Sequence, residues 1–249
     1  MDNLIINKYK PKKISEFIYT DSFKNIIYDL LEINELSFIL YGEKGSGKTS
    51  LIDCIVKEYY NCNNYNENVM YINNTSEQGI NYYRTEVKIF CQTNCTIPKK
   101  KKIILLDDFD HISEQSQQVF RNYIDNYKNK VAFIITSSNL HKIINSIQSR
   151  FLVLNLIKPN NKEVIDLCLK IIENEKINIS LDGIKTITQL TNNTIYYIFN
   201  YLEKIRLFNS ELNTNTFNKL ITHINYDIFS NYFNLIKQKY FHQGVTILM

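Results

Sequence analysis

The chain has 249 residues and is poor in alanine, glycine and proline. Alanine occurs once, at Ala132, whereas asparagine, isoleucine, lysine and tyrosine abound. We attribute this bias to an A/T-rich coding genome rather than to mechanism. No segment has the ~20 consecutive apolar residues that a membrane-spanning helix needs, so we expect no membrane partner. The opening Met1-Asp2-Asn3 does not resemble a signal peptide.

Cysteine spacing and net charge exclude few further classes of protein. The five cysteines form no set of Cys-x-x-Cys pairs, so we expect no zinc site and reduced thiols in an intracellular protein. They are Cys54, Cys62, Cys91, Cys95 and Cys168. A net charge of +4 permits contact with nucleic acid without arguing for it. The length suits one large domain with a smaller one attached.

Three of the six glycines lie in one stretch, GEKGSGKT, at residues 42–49. An apolar run precedes this stretch and a helical pattern follows it, which is the context of a phosphate-binding loop. The glycines let backbone N–H groups point at an anion, and the positive end of the helix dipole lies behind them. Lys48 would reach the β- and γ-phosphates of ATP, and the Thr49 hydroxyl would bind Mg²⁺.

A second motif, Ile103-Ile104-Leu105-Leu106-Asp107-Asp108, resembles a buried strand that ends in carboxylates. Ligands of open parallel sheets bind at the carboxyl ends of the strands. We expect Asp107 to hold Mg²⁺ and Asp108 to act as the general base that polarises the attacking water. Without the phosphate-binding loop, an ordinary acidic turn would be the better interpretation.

Strand patterns alternate with helical ones up to Pro159, which predicts a parallel sheet covered by helices on both faces. The predicted strands are 38–41, 69–72, 103–106, 131–136 and 151–156, and the predicted helices are 22–31, 49–60, 82–90 and 115–127. Helical patterns at 162–173, 181–190 and 194–207 follow. We therefore predict an α/β domain at 1–158 that begins with a polar, lysine-rich lead-in, a helical lid at 159–208 and a partial helical collar at 209–249.

Several strings in one collinear order resemble the clamp loaders among the AAA+ ATPases, in particular the small subunits of replication factor C. Lys8-Tyr9-Lys10-Pro11 is similar to the entry motif of that family, and Asp107-Asp108-Phe109-Asp110 stands where the family has Asp-Glu-Ala-Asp. Ser146-Ile147-Gln148-Ser149-Arg150 resembles its Ser-Arg-Cys motif. The resemblance spans about residues 4–205.

The resemblance implies a role for each matching position. Tyr9 and Pro11 would wall the adenine pocket. Arg150 would act in trans, reaching the ATP site of a neighbouring subunit. The segment from Asn73 to Ile80 is similar to the family segment after its second strand, and the next helix would bring Arg84 and Lys88 to DNA phosphates. We interpret the lysine run at 99–102 as solvated surface, with DNA contact as the less favoured alternative.

The family also carries a polar residue after the fourth strand that holds the attacking water. Register favours Ser138 for this role and side-chain chemistry favours Asn139, so both remain candidates; either is also compatible with an ordinary turn. The full set expected to bind nucleotide is Tyr9, Pro11, Gly42, Glu43, Lys44, Gly45, Ser46, Gly47, Lys48, Thr49 and Ser50.

The sequence departs from the family at three places. Asp108 replaces the catalytic glutamate and is one methylene shorter. The lid string Asn193-Thr194-Ile195-Tyr196-Tyr197 lacks the arginine expected there, and we expect Tyr196 to pack in the core rather than on the nucleotide. Only the first collar helices fit into residues 209–249, so the chain is either a fragment or assembles differently.

The resemblance implies an ATP-driven clamp-loader subunit in a hetero-oligomeric ring, expected to be a pentamer. Its partners would be the other subunits, a sliding clamp and primer–template DNA, in the nucleus or in a cytoplasmic virus factory. Two alternatives remain open. One is a subunit that binds nucleotide without hydrolysing it and donates Arg150. The other is a different AAA+ machine, such as a replication initiator or a branch-migration motor.

Overall fold

The computed structural model describes residues 4–62, 64–73 and 80–208. The strands are β1 (Phe38–Tyr41), β2 (Val69–Asn73), β3 (Lys102–Asp107), β4 (Val131–Ser137) and β5 (Leu152–Asn155). The helices are α1 (Ile5–Lys8), α2 (Asp21–Glu32), α3 (Lys48–Tyr60), α4 (Ile80–Gln92), α5 (Glu114–Tyr127), α6 (Asn145–Gln148), α7 (Asn161–Glu175), α8 (Leu181–Leu190) and α9 (Ile195–Phe208).

The five strands form one parallel sheet in the order β2-β3-β4-β1-β5. Alternate residues of each strand face opposite sides. In β1, Phe38 and Leu40 pack with α2 and α3, whereas Ile39 packs with α4 and α5 on the other face. The predicted α/β sheet flanked by helices is therefore confirmed, with strand ends that differ from the prediction by at most one residue.

Helices α7, α8 and α9 pack around a separate apolar cluster that includes Val164, Ile187 and Leu202. The capping box between Asn160 and Glu163 sets the start of α7, because each side chain accepts a hydrogen bond from the backbone of the other residue. These helices follow β5 as the sequence predicts. The predicted collar, and most of the segment from Asn73 to Ile80, lie outside the described residues.

The prediction of a polar lead-in is wrong for the part that the structure describes. Ile5, Ile14 and Phe17 are buried, and they pack into two different clusters. Ile5, in α1, belongs to the cluster of α7, α8 and α9, whereas Ile14 and Phe17 belong to the cluster of α2 and α3. Lysines separate these apolar residues, so the segment looks polar in the sequence.

All five cysteines are free thiols. Across the described ranges, no helix combines the length and the apolar character that crossing a membrane requires. The same ranges contain no cluster of three or more His, Cys, Asp or Glu side chains placed to hold a metal ion.

Candidate nucleotide-binding site

A cavity of about 610 Å³ lies where the carboxyl ends of β1 and β3 meet the lead-in and the lid helices. This volume is typical of small-molecule sites. Its lining comprises Ile6, Asn7, Tyr9, Lys10, Pro11, Glu16, Phe17, Ile18, Tyr19, Lys44, Gly45, Ser46, Gly47, Lys48, Thr49, Ser50, Asp107, Asp108, Leu167, Ile195, Tyr196 and Phe199. Most of the predicted nucleotide-binding residues are thus brought together. Gly42 and Glu43 lie just outside the lining.

The loop between β1 and α3 needs glycine at two positions. Gly45 and Gly47 have φ angles of +77° and +92°, in the region that residues with a Cβ rarely adopt. A Cβ at Gly45 would also come within 2.9 Å of the Thr194 methyl group. Glycine therefore lets the loop curl and lets the start of α9 approach it closely.

Lys48 begins α3 and is 7% exposed. Its ammonium group donates hydrogen bonds to the carbonyl oxygens of Gly42 at 2.7 Å and Glu43 at 3.0 Å. Burial lowers the pKa of Lys48, and the nearby carboxylates of Asp108 and Asp107 oppose that shift. The carboxylate of Glu43 instead pairs with Lys158 at 2.7 Å. Gly42 and Glu43 thus hold the lysine through their backbone.

Two side chains that carry oxygen atoms lie close together beside this lysine. The Thr49 hydroxyl lies 3.5 Å from Oδ2 of Asp107, and both residues line the cavity. A hydroxyl and a carboxylate that face a phosphate-binding loop are the donors that Mg²⁺ prefers, with nucleotide oxygens and water completing its shell. The residues present therefore fit a magnesium ion bound together with a nucleotide.

Thr136 orients both aspartates. Its buried hydroxyl donates to Oδ1 of Asp107 at 2.5 Å and accepts a hydrogen bond from the Asp108 N–H at 2.8 Å. Asp108 itself has a φ of +48°. Thr136 was not among the residues predicted for the site, although a polar residue near the end of an otherwise apolar strand was an available signal.

Ser138 and Asn139 do not line the cavity. The Ser138 hydroxyl donates to Asp110 at 2.8 Å, and the side chain of Asn139 accepts from the His141 N–H at 3.0 Å. Burial alone would raise the pKa of Asp110, but hydrogen bonds from Ser138 and the backbone lower it overall. The water-holding role of either residue stays a prediction.

Tyr9 and Pro11 line the cavity from the lead-in, as the resemblance implies. The Tyr9 hydroxyl donates to Glu175, the last residue of α7, at 2.9 Å. The lead-in also contributes Phe17 and Tyr19, which our sequence analysis did not assign to the site. No local pattern marks them, because their role depends on how the lead-in folds over the loop.

The lid closes the opposite side of the cavity with Leu167, Ile195, Tyr196 and Phe199. The expectation that Tyr196 packs in the core is wrong, since 47% of its surface is exposed and its ring lines the cavity. Gly45 is the physical reason, because the start of α9 packs directly against this loop.

Arg150 lies outside the cavity lining. Its guanidinium pairs with Asp125 through two contacts, of 2.6 and 3.1 Å, and lowers the pKa of that carboxyl. Arg84 and Lys88 share the exposed face of α4, whereas Tyr83 and Val87 are buried beneath them. These three cations are surface groups, which is compatible with contacts to other molecules.

Residues 38–158 match the family described as the ATPase family associated with various cellular activities (AAA). A replication factor C small subunit of Sulfolobus acidocaldarius is 28% identical over 197 residues, which cover 79% of this chain and 60% of that protein. A putative replication factor C small subunit of Acanthamoeba polyphaga mimivirus is 32% identical over 200 residues, covering 80% and 62%. The chain is similar to the small subunits of replication factor C. This result confirms the resemblance that the motifs indicated.

Human replication factor C subunit 5 is 25% identical over 203 residues, which cover 81% of this chain. A solved Thermotoga maritima RuvB variant superposes with a TM-score of 0.66 at 15% identity, covering 86% of this chain and 72% of the other. That likeness supports the AAA+ fold and nothing finer. The chain spans about 60% of the length of the replication factor C relatives cited above.

Proposed function

We propose that this chain is an ATP-dependent clamp-loader subunit that helps to open a sliding clamp and load it onto primer–template DNA. The observation that carries the proposal is the cavity, which joins a phosphate-binding loop, an acidic strand end and a helical lid in a relative of replication factor C small subunits. ATP suits this arrangement because the lining combines cationic and hydroxyl groups with aromatic rings.

The phosphates would lie at the start of α3. Backbone N–H groups of the loop and the positive end of the helix dipole favour an anion there. Lys48 would exchange its carbonyl partners for phosphate oxygens. Tyr9, Pro11 and Tyr196 would enclose the base and sugar.

Thr49 and Asp107 would hold Mg²⁺, with Thr136 fixing the orientation of the carboxylate. When bound, the ion supplies positive charge that offsets the charge of the phosphates. The contribution of the chain is orientation, because the Thr49 hydroxyl and the Asp107 carboxylate face each other at 3.5 Å.

In this proposal ATP is hydrolysed by phosphoryl transfer to water. Asp108 would accept a proton from the attacking water, and the Thr136 hydrogen bond to its backbone would hold it at the cavity. Arg150, which lies outside the cavity of its own chain, would stabilise charge in the site of a neighbouring subunit. An arginine supplied in trans contributes about 10³–10⁵ to the rate of related reactions.

The proposed partners are the other subunits of a ring, expected to be a pentamer, together with a sliding clamp and primed DNA. Arg84 and Lys88 would contact DNA phosphates. Relatives from a human and a viral source support a role in the nucleus or in a virus factory.

A second candidate function is a subunit that binds nucleotide without hydrolysing it. It is favoured by what α9 presents to the cavity: Ile195, Tyr196 and Phe199 carry no cation to the γ-phosphate. The short side chain of Asp108 points the same way, because misplacement by ~1 Å costs about 10²-fold in rate.

The deciding experiment uses the assembled complex. For each variant, every nucleotide site except the one being measured is inactivated. Asp108→Asn should leave ATP affinity intact and slow hydrolysis at this site, whereas Arg150→Ala should slow hydrolysis at the site of the neighbour. Asp166→Asn, on the exposed face of α7, is the matched control for Asp108→Asn, and Lys130→Ala, at a cation that bonds Asn94, is the control for Arg150→Ala.

The motor function requires both changes to slow hydrolysis and clamp loading. An effect of Arg150→Ala alone would establish the non-hydrolysing subunit. If neither change has an effect, the clamp-loader mechanism is wrong for this protein.

A further inference from the structure

The hydroxyl of Tyr19 contacts the phosphate-binding loop directly. It donates a hydrogen bond of 2.7 Å to the backbone carbonyl of Ser46. Tyr19 lies in the lead-in, before α2, so this bond joins two segments that are distant in sequence. Nothing in the loop motif itself requires a tyrosine there.

Neighbouring rings fix the direction of this hydroxyl. The Tyr19 ring stacks on Phe17, with centroids 5.5 Å apart and planes 8° apart, and it meets Phe23 edge-on at 5.3 Å. Such paired aromatic contacts restrict rotation about the side-chain torsions. Burial raises the pKa of Tyr19, so the group stays a neutral donor throughout the physiological range.

Gly47 lets the tyrosine approach this closely. A Cβ at Gly47 would lie 3.2 Å from the Tyr19 hydroxyl and 3.8 Å from the Phe17 ring. The φ of +92° at Gly47 also excludes most other residues. The loop and the aromatic stack are therefore fitted to each other at this glycine.

The planarity of the peptide bond transmits the contact to the anion-binding groups. The bond between Ser46 and Gly47 is trans, since the described chain contains no cis peptide. In a trans peptide the C=O and the N–H point in opposite directions. A carbonyl of Ser46 held toward Tyr19 thus directs the N–H of Gly47 away from the stack.

We propose that Tyr19 is a positioning residue for nucleotide binding: it holds the Ser46–Gly47 peptide in the orientation that presents the Gly47 N–H to a phosphate. This inference rests on the proposed nucleotide site and extends it to a residue outside the loop motif. Tyr19 lines the cavity, but its hydroxyl acts on the phosphate end through the backbone of the loop.

The test compares Tyr19→Phe with Tyr60→Phe in the full chain. Both changes remove one hydroxyl that donates to a backbone carbonyl: the Tyr60 hydroxyl lies 2.8 Å from the carbonyl oxygen of Lys101 and 3.1 Å from that of Asn68, and its one hydrogen serves both. Tyr60 ends α3, far from the loop, and is 4% exposed. Each variant is titrated with fluorescent ATP and ADP analogues and melted with and without ATP.

We expect Tyr19→Phe to weaken ATP and ADP binding by about three- to tenfold, the effect of one hydrogen bond. Its gain in Tm on adding ATP should shrink. Tyr60→Phe should lower the Tm of the free protein and leave both nucleotide affinities unchanged.

Unchanged affinity in Tyr19→Phe, or an equal loss in Tyr60→Phe, would overturn the positioning role. A wild-type chain that binds no nucleotide would overturn the proposed site, and this inference with it. The two failures are distinguishable. If only the positioning role is wrong, the wild-type chain still binds nucleotide and Lys48→Ala still loses that binding.

Discussion

The two walls of the cavity differ in chemistry and in what holds them in place. The α/β domain presents charged and hydroxyl groups, among them Lys48, Thr49 and Asp107, whereas the lid presents the apolar and aromatic side chains of Leu167 and Phe199. Sheet register fixes the first wall, since β1 and β3 end at the same edge. The second wall depends on how three helices pack. In the proposed function, phosphate recognition would be built into the sheet, and recognition of the base would depend on the position of the lid.

The lead-in joins the two walls. On one side, Lys8 and Tyr9 contact Glu175 of the lid at 2.6 and 2.9 Å. On the other, Lys10 pairs with Asp53 of α3 at 2.8 Å. The segment that carries Tyr9 and Pro11 therefore crosses from the lid to the α/β domain.

The largest effect is expected at the charged wall, for Lys48→Ala. The change removes the cation that faces the phosphates but leaves the backbone of the loop in place. Affinity for a fluorescent ATP analogue should fall by at least ~10-fold, which corresponds to about 1.4 kcal/mol. Lys130→Ala, which removes a cation that bonds Asn94 elsewhere on the surface, is the control. Unchanged affinity would show that this loop is not the site.

The sequence predicts the charged wall far better than the lid wall. Strands β1 and β3, the loop and Asp107 follow from local patterns, because a buried parallel strand is a continuous apolar run and the loop has a fixed spacing. Tyr19 and Glu175 act through partners that are distant in sequence, so no local pattern identifies them, whereas Thr136 is marked only as a polar residue near the end of an apolar strand. Tyr196 was misassigned for the same reason: its environment is set by the contact between α9 and the loop.

A smaller effect is expected at the lid wall, and α9 supplies its own control. Tyr196 and Tyr197 are adjacent and are 47% and 48% exposed, but only Tyr196 lines the cavity. Tyr196→Ala should weaken ATP binding about three- to tenfold, as expected for the loss of an aromatic contact. Tyr197→Ala should not. Equal losses would mean that the start of α9 matters for lid stability rather than for nucleotide contact.

The smallest effect on nucleotide affinity is expected where the lead-in contacts the lid, for Glu175→Gln. Glu175 accepts hydrogen bonds from Lys8, Tyr9 and Arg206, and Lys8 above all lowers its pKa from 4.5 to about 2. The uncharged amide keeps the shape but weakens all three contacts. At neutral pH we expect a Tm lower by roughly 2–4 °C and a loss of ATP affinity of no more than about twofold, the low end for a single hydrogen bond.

The pH dependence of Tm distinguishes an ionic contact at Glu175 from a simple packing contact. A carboxyl whose pKa is depressed in the folded state adds stability that is fully present above its unfolded pKa, 4.5, and is lost as pH falls toward the folded value of about 2. The difference in Tm between wild type and Glu175→Gln should therefore be constant near neutrality and shrink as the pH falls below 4.5. Glu173→Gln, on the exposed surface of the same helix, should show no such difference at any pH. A gap between wild type and Glu175→Gln that persists unchanged into acid would mean that shape rather than charge fastens the lead-in to the lid.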